Sequence, residues 1–191
     1  MKQLYFATTN HQKIQIARTV CQGTDITIQP VSLDIDEIQG EDADTIIRDK
    51  VRRAHELLNE PVLVSDDTWN IHALKGFPGP YMKSINHWFT PEDFIRLLHG
   101  FTDRRVTLHQ YLAYTDGHLT KVFCNNLEGH MLTEARGTSQ TSPNMTVTAL
   151  DFDNGKSIAE VFAQGPTALE ARYAKREHVW TTFIRWYQTL A

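Results

Sequence analysis

The run of apolar residues at positions 62–64 is the feature of this sequence that most constrains its fold. It follows Pro61, and Ser65, Asp66 and Asp67 come directly after it. A run of apolar residues that does not alternate with polar ones is typical of a strand that is covered on both faces. Such strands belong to sheets with helices on both sides, where ligands bind at the carboxyl ends of the strands. The run therefore predicts an α/β protein in which Asp66 and Asp67 end a central strand.

The rest of the pattern predicts a mixed sheet. Strand and helix signals alternate in the first hundred residues, whereas strands dominate the middle, where Asp116-Gly117 predicts a hairpin turn. Asn10 and Gly23 are placed to begin and end the first helix. Further predicted strands cover residues 4–8, 25–33, 105–114, 118–124, 127–134 and 145–152, and further predicted helices cover residues 44–58, 91–100 and 167–190.

The overall charge argues against a nucleic-acid-binding protein. The 19 Lys and Arg stand against 23 Asp and Glu, a net charge of -4, whereas proteins that bind nucleic-acid backbones are usually basic. No apolar run approaches the roughly 20 residues that a membrane helix needs, and the first residues lack the pattern of a signal peptide. Cys21 and Cys124 form no C-x-x-C pair. We therefore expect a cytoplasmic protein without a membrane or nucleic-acid partner.

Two groups of carboxylates are candidate ligands for Mg²⁺, which prefers oxygen ligands and keeps several waters. Asp66 and Asp67 repel each other as neighbours, so a cation partner is favoured. Glu37 lies in an acidic stretch with Glu41 and Asp42. Two structural interpretations stay open: an Asx turn at the aspartates and a solvated loop around Glu37.

Three lysines are candidates for binding an anion. Lys13 follows Thr8-Thr9-Asn10 at the junction of the first strand and helix, where free backbone N–H groups and the helix dipole favour anions. Lys50 lies on the buried face of the second helix, and Lys83 follows a stiff segment rich in glycine and proline, residues 76–82. The alternatives are a capped helix with an exposed lysine, a lysine that extends to water and a surface turn.

Motifs of several other enzyme classes are missing from the sequence. It has no G-x-S-x-G nucleophile elbow and no Walker A or G-x-G-x-x-G loop. None of its nine histidines forms an H-E-x-x-H or H-x-x-x-H pair. Serine hydrolases, the common nucleotide-binding loops and the usual zinc enzymes are therefore disfavoured.

Taken in order along the chain, these clusters resemble the inosine triphosphate pyrophosphatase (Ham1-like) family. Thr8, Asn10 and Lys13 match the family's Thr-x-Asn-x-x-Lys motif, and residues 73–83 give the most specific match. The family's acidic and lysine positions are matched by Glu37, Lys50, Asp66, Asp67 and Lys83. The resemblance extends over residues 1 to about 100.

The resemblance implies a strongly twisted mixed sheet flanked by helices, in one two-lobed domain over residues 1–191 with a cleft. It implies that a non-standard purine nucleoside triphosphate, such as ITP, dITP or XTP, is hydrolysed to the monophosphate and pyrophosphate. In that scheme Glu37, Asp66 and Asp67 bind Mg²⁺, and Asp67 also orients or deprotonates the attacking water. The triphosphate is bound by Thr8, Thr9, Asn10, Lys13, Lys50 and Lys83. A homodimer is also implied.

The half of the family pattern that reads the base is altered. The aromatic-Asp-Pro motif is replaced by residues 144–148, and the late Ser-His-Arg becomes Ala174-Lys175-Arg176. We expect Lys175 and Arg176 to contact the base. Trp69 either stacks on the base or belongs to the core. Because polar contacts to a base discriminate strongly, their replacement predicts a changed or relaxed base preference.

Two other functions stay open. One is a pyrophosphatase for a different modified nucleotide, and the other is a non-catalytic nucleotide-binding protein. The retained Glu37, Asp66, Asp67 and lysines argue against the second, since a protein that only binds needs no acid to activate water.

Overall fold

The computed structural model describes residues 2–174 and 177–190. Its strands are β1 (Lys2–Ala7), β2 (Ile26–Val31), β3 (Val62–Ile71), β4 (Pro78–Gly79), β5 (Arg105–Thr115), β6 (Thr120–Met131) and β7 (Thr148–Leu150). Its helices are α1 (His11–Cys21), α2 (Ala43–Leu58), α3 (Met82–Trp88), α4 (Pro91–Leu97), α5 (Ile158–Phe162), α6 (Pro166–Ala174) and α7 (Val179–Gln188). None of the helices within these residues has the length and apolar character required to cross a lipid bilayer.

The strands form one mixed sheet. Its order is β2-β1-β3-β5-β6-β7, and β4 pairs with β3 outside this path. β1 pairs in parallel with β2 and β3, whereas the β3–β4 and β6–β7 pairs are antiparallel. The predicted α/β class with a mixed sheet flanked by helices is confirmed.

The chain divides into two compact units. The first unit comprises the described parts of 1–66, 110–125 and 170–191, and the second comprises 67–109 and 126–169. Strands β3, β5 and β6 contribute residues to both units. The organisation as one domain with a cleft stays a prediction.

In the first unit the sheet is covered on both faces, because alternate residues of each strand enter different cores. Phe6 and its partner Leu63 pack with residues of α1 and α7. Val62 and Val64, on either side of Leu63, pack with residues of α2. The aromatic side chains of α7 close the first of these cores, with the Trp180 ring edge-on to Phe6 at 5.1 Å between centroids. The apolar run at 62–64 is thus buried on both faces, as predicted.

The second unit has a core of its own. It includes buried residues of β3, α3, α4, β5 and the segment after β6, among them Trp69, Ile71, Phe94 and Val106. The Trp69 side chain is 6% exposed. Trp69 is therefore a core residue, and the alternative of a stacking face for a base is wrong.

Strand β3 is longer than predicted. It continues through Asp66 and Asp67 to Ile71, so the prediction that the aspartates end the strand is wrong, as is the alternative of an Asx turn. Thr68 and Trp69, which follow the acids, have high strand preference, and β4 pairs with Trp69 and Asn70. Pairing and burial beyond the acids therefore outweigh the low strand preference of aspartate.

Among the other predicted strands and helices, three differ most from the structure. The strands predicted at 118–124 and 127–134 form the single strand β6, because pairing with its neighbours continues through the polar residues between them. Only three residues of the strand predicted at 145–152 form β7, between 3₁₀ turns at Pro143–Thr146 and Asp151–Asp153. The helix predicted at 167–190 is divided into α6 and α7, since His178 has extended backbone and caps α7 by accepting from the Trp180 N–H.

Gly117, in the turn between β5 and β6, leads to a prediction about stability. Its φ is +87°, and a Cβ atom there would lie 2.4 Å from Nε2 of His55. The other ring nitrogen of His55 is hydrogen-bonded to the Glu60 carbonyl oxygen at 3.0 Å. Gly117→Ala would strain the backbone and push the imidazole away from Glu60, so we expect the free energy of unfolding in urea to fall by about 2–3 kcal/mol.

Gly23→Ala is the matched control. Gly23 has a φ of +78°, and no heavy atom lies within 4 Å of a Cβ atom built there. Only backbone strain is expected, with a loss of about 1–2 kcal/mol. Equal losses in the two variants would contradict the contribution of His55.

Candidate functional site

The position of Asp66 and Asp67 inside β3 fixes the faces to which they point. Neighbouring side chains in a strand point to opposite faces. Val64 lies in the core formed with α2, whereas Leu63 lies in the core formed with α1 and α7. Asp66 lies two residues after Val64 in this strand, so the alternation predicts that it faces α2, and that the neighbouring Asp67 points to the other side of the strand. The two carboxylates are therefore directed apart, although they are neighbours in sequence.

Lys13 connects the first motif to the strand that carries the acids. Its Nζ donates a hydrogen bond of 3.3 Å to the carbonyl oxygen of Ser65, the residue directly before Asp66. The register of β1 with β3 reaches Phe6↔Leu63, so β1 ends before Ser65. The edge of β3 at Ser65 is thus approached by the Lys13 ammonium instead of by a continuing β1. Lys13 therefore contacts the backbone of the strand that carries Asp66, and its predicted binding of an anion stays a prediction.

The start of α1 is closed by its own cap. Asn10 accepts hydrogen bonds through Oδ1 from the N–H groups of Gln12 and Lys13, at 2.9 and 3.3 Å. The Asn10 N–H in turn donates to Oγ1 of Thr8 at 3.2 Å. Thr9 and Asn10 are exposed. Two of the N–H groups at this helix start, those of Gln12 and Lys13, are therefore already used, and an anion would have to displace the Asn10 cap to reach them.

Glu37 and Lys50 form an ion pair. Glu37 precedes α2 in a segment whose Leu33 and Ile35 pack against the α2 core, and Lys50 belongs to α2 itself. The side chains are 34% and 15% exposed, so the pair is partly buried. Lys50 therefore has a protein carboxylate as its partner, and it neither extends freely to water nor remains an unpaired cation.

Asp42, one of the other carboxylates near Glu37, has a structural role. It caps α2, accepting hydrogen bonds from the Thr45 hydroxyl and from the N–H of Asp44. The bond from the Thr45 hydroxyl lowers the pKa of Asp42 below its ordinary value, and the backbone bonds act in the same direction. Asp42 stabilises the helix that carries Lys50, and this use of its oxygens leaves Glu37 as the better candidate for a metal ligand.

The carboxylates present suit Mg²⁺ that arrives with a nucleotide. Within residues 2–174 and 177–190, no three His, Cys, Asp or Glu side chains are grouped so that they could hold a metal ion by themselves. Mg²⁺ is commonly bound by one or two carboxylates and completes its coordination with water and substrate phosphates. Glu37, which is paired with Lys50 of α2, and Asp66 are two oxygen donors of the first unit. The donor set therefore fits a substrate-bound magnesium ion and does not fit a site made by the protein alone.

Lys83 lies in the second unit, in the first turn of α3, with its side chain exposed. Met82 and Ile85 anchor α3 in the core of that unit. Asn86 of the same helix accepts a hydrogen bond of 3.2 Å through Oδ1 from the backbone N–H of Asn144. These contacts hold the helix that presents Lys83. No sequence motif indicated Asn86, because its partner is 58 residues away in the chain.

The residues predicted to read the base are only partly within the described chain. Lys175 and Arg176 lie outside the described residues. Asn144, at the start of the segment that replaces the aromatic-Asp-Pro motif, is 2% exposed, and its Oδ1 is buried without a hydrogen-bond partner in the described part of the chain. The Thr148 hydroxyl donates to the Asn144 carbonyl oxygen at 2.9 Å. The segment that replaces the motif thus contains a buried amide oxygen that has no hydrogen-bond partner in the described part of the chain.

Comparisons with known proteins identify the family of this chain. Residues 4–165 match the model of the Ham1 family. The inosine triphosphate pyrophosphatase of Tuber melanosporum is 33% identical over 114 residues, which are 60% of this chain and 61% of that protein. The dITP/XTP pyrophosphatase of Saccharolobus solfataricus is 28% identical over 130 residues, 68% of each chain. The alignment thus leaves more than a third of the Tuber protein unmatched.

A solved structure has the same fold. The HAM1 protein from Coxiella burnetii aligns over 100% of both chains with a TM-score of 0.77 and 18% sequence identity. At this identity the likeness supports the fold, and the family assignment rests on the sequence match over residues 4–165. Because that match covers most of the chain, this protein belongs to the Ham1 family.

Proposed function

We propose that this chain is a Mg²⁺-dependent nucleoside triphosphate pyrophosphatase that converts non-standard purine nucleotides, such as ITP, dITP and XTP, to the monophosphate and pyrophosphate. Membership of the Ham1 family and the activities named for two relatives support the reaction and the substrate class. The observation that carries the proposal is the bond from Lys13 to the Ser65 carbonyl oxygen, because it joins the first motif to the strand that bears the acids.

In this proposal the residues of the first unit hold the metal and part of the triphosphate. Glu37 and Asp66 bind the ion, and Lys13 and Lys50 neutralise phosphate oxygens. When bound, Mg²⁺ would withdraw electrons from the phosphates and stabilise the charge of the leaving pyrophosphate. Lys50 balances the charge of Glu37 in the absence of nucleotide, and its ammonium is positioned to exchange that carboxylate for a phosphate oxygen. Lys83 supplies a further cation in the proposal.

Asp67 is proposed to act on the attacking water. Because its side chain is directed away from that of Asp66, a role as proton acceptor is favoured over a shared metal ligand. The water oxygen forms a bond to the α-phosphorus, the bond from that phosphorus to the oxygen bridging to the β-phosphate breaks, and the water proton passes to Asp67. A triphosphate lying along the edge of β3, beyond the end of β1, would meet side chains from both faces of the strand.

The base preference is the part of the proposal in which this chain departs from the family. Residues 144–148 lack the family's aromatic-Asp-Pro motif, so we propose that the base meets a different set of hydrogen-bonding groups. We propose that Lys175 and Arg176 contact the carbonyl groups of hypoxanthine or xanthine, and that the protein is a cytoplasmic homodimer. Sedimentation of the purified protein would test the dimer directly.

A nucleotide panel tests the proposed reaction. Pyrophosphate release should be measured from ITP, dITP, XTP, ATP, GTP and modified pyrimidine nucleotides, with Mg²⁺ and with EDTA. We expect release from the first three that is abolished by EDTA, because without a metal ion the carboxylates would repel the triphosphate. Release mainly from other nucleotides would favour the alternative substrate class, and binding without release would favour a non-catalytic nucleotide-binding protein.

Asp67→Asn tests the proton acceptor. An amide cannot take a proton from water, so kcat should fall by about 10²- to 10⁴-fold while KM changes little. Asp151→Asn, an identical substitution at an exposed position on the protein surface, should leave kcat unchanged. A kcat for Asp67→Asn equal to that of the parent protein would refute the proposed role.

Glu37→Gln tests the metal ligand. The amide keeps the size of the side chain but removes its charge, so the Mg²⁺ concentration that gives half-maximal rate should rise by about tenfold or more. Glu41→Gln, in the same segment and exposed, is the control and should leave that concentration unchanged. If the two variants require the same Mg²⁺ concentration, Glu37 does not bind the ion.

A further inference from the structure

An apolar cavity in the second unit lies outside the proposed site. Its volume is about 370 Å³, and it is lined by Ala73, Leu74, Lys75, Phe77 and Leu97. Cavities that bind small organic molecules begin at about this size. None of these five residues has a role in the proposed reaction, so the cavity needs an explanation of its own.

The walls of the cavity combine packed aliphatic groups with an exposed aromatic ring. Ala73 and Leu74 form a 3₁₀ turn that packs on the core of the second unit, and Leu97 ends α4. Phe77 is 41% exposed. Its backbone is nevertheless fixed, since its N–H donates to the Leu74 carbonyl and its carbonyl accepts from the Ile71 N–H, at 3.1 and 3.2 Å. The cavity is therefore held open by a fixed backbone, and covering the Phe77 ring with an apolar ligand is favourable.

Lys75 provides a cation at this cavity. It has a φ of +55°, and the two other non-glycine residues with positive φ in the described chain, Asn59 and Asn154, are of the type that tolerates this backbone conformation best. Within residues 2–174 and 177–190, the Lys75 side chain takes part in no ion pair or hydrogen bond. An unpaired ammonium on a side chain that lines the cavity favours an anionic group beside the apolar wall.

We infer that this cavity binds a small amphipathic anion, with an aromatic ring against Phe77, Leu74 and Leu97 and a carboxylate against the Lys75 ammonium. A polyphosphate is a poor fit, because the lining offers a single cation and otherwise apolar groups. The inference does not depend on the proposed reaction, since the ligand is defined by the chemistry of the lining residues.

Binding of two matched probes to the full chain tests the inference. 1-Naphthoate and naphthalene-1-carboxamide have the same shape, but only the first carries a charge, and saturation-transfer NMR or calorimetry gives the Kd of each. We expect saturable binding of naphthoate, with a Kd raised about two- to fivefold in Lys75→Gln, as for the loss of one exposed ion pair. Binding of the carboxamide should be unchanged in this variant, and Lys156→Gln, an exposed lysine of the same unit, should bind both probes as the parent does.

A second variant tests the apolar part of the site. Ala73→Phe would fill the cavity and should abolish binding of both probes while the circular dichroism spectrum is retained. The inference is overturned if naphthoate shows no saturable binding, if Lys75→Gln and Lys156→Gln bind it equally well, or if folded Ala73→Phe still binds it. Lys75→Gln changes an exposed side chain at a position where both residues must adopt the same positive φ. Its result therefore tests the binding site even if Ala73→Phe does not fold.

Discussion

Burial of β3 on both faces is the constraint on which the rest of the structure depends. Val62, Leu63 and Val64 have no exposed surface, and α1, α7 and α2 cover them. Complete burial of such side chains contributes about 1.5–3 kcal/mol each, more than an ion pair at the surface. Apolar packing therefore fixes the elements that carry Lys13 and Lys50, and the charged groups are positioned by the core instead of by one another.

The charged residues of the candidate site lie next to this packed region, and two of its lysines already have partners within the protein. Lys13 bonds a neutral carbonyl, and Lys50 bonds the carboxylate of Glu37. In the proposed function a phosphate replaces both partners. At Lys13 it replaces the Ser65 carbonyl oxygen, because a phosphate oxygen carries more charge. At Lys50 it replaces Glu37, because the magnesium ion competes with Lys50 for that carboxylate. In the proposed function, an acidic protein with a net charge of -4 would bind an anion through a local pair of lysines, of which Lys50 has its charge balanced by Glu37.

The departures from the family lie in the residues expected to contact the base. The backbone of Asn144 is hydrogen-bonded to the side chains of Asn86 and Thr148. The start of the segment 144–148, which replaces the family motif, is therefore held in place by the protein. The acids and lysines expected to act on the phosphates are all retained. In the proposed function, the residues that act on the phosphates differ from those that contact the base, so one set can change while the other stays.

The sequence by itself determined the α/β class, the central strand at 62–64, the Asn10 cap and the family, because these follow from local patterns of a few residues. Tertiary structure alone decided that β3 runs on through Asp66 and Asp67, since its pairing with β4 comes from residues that the strand pattern does not include. It also decided the pairing of Glu37 with Lys50, the burial of Trp69 and the link from Asn86 to Asn144. Each of these contacts joins segments that are distant in the sequence and meet only through the packed cores, so the spacing of residues along the chain does not predict them.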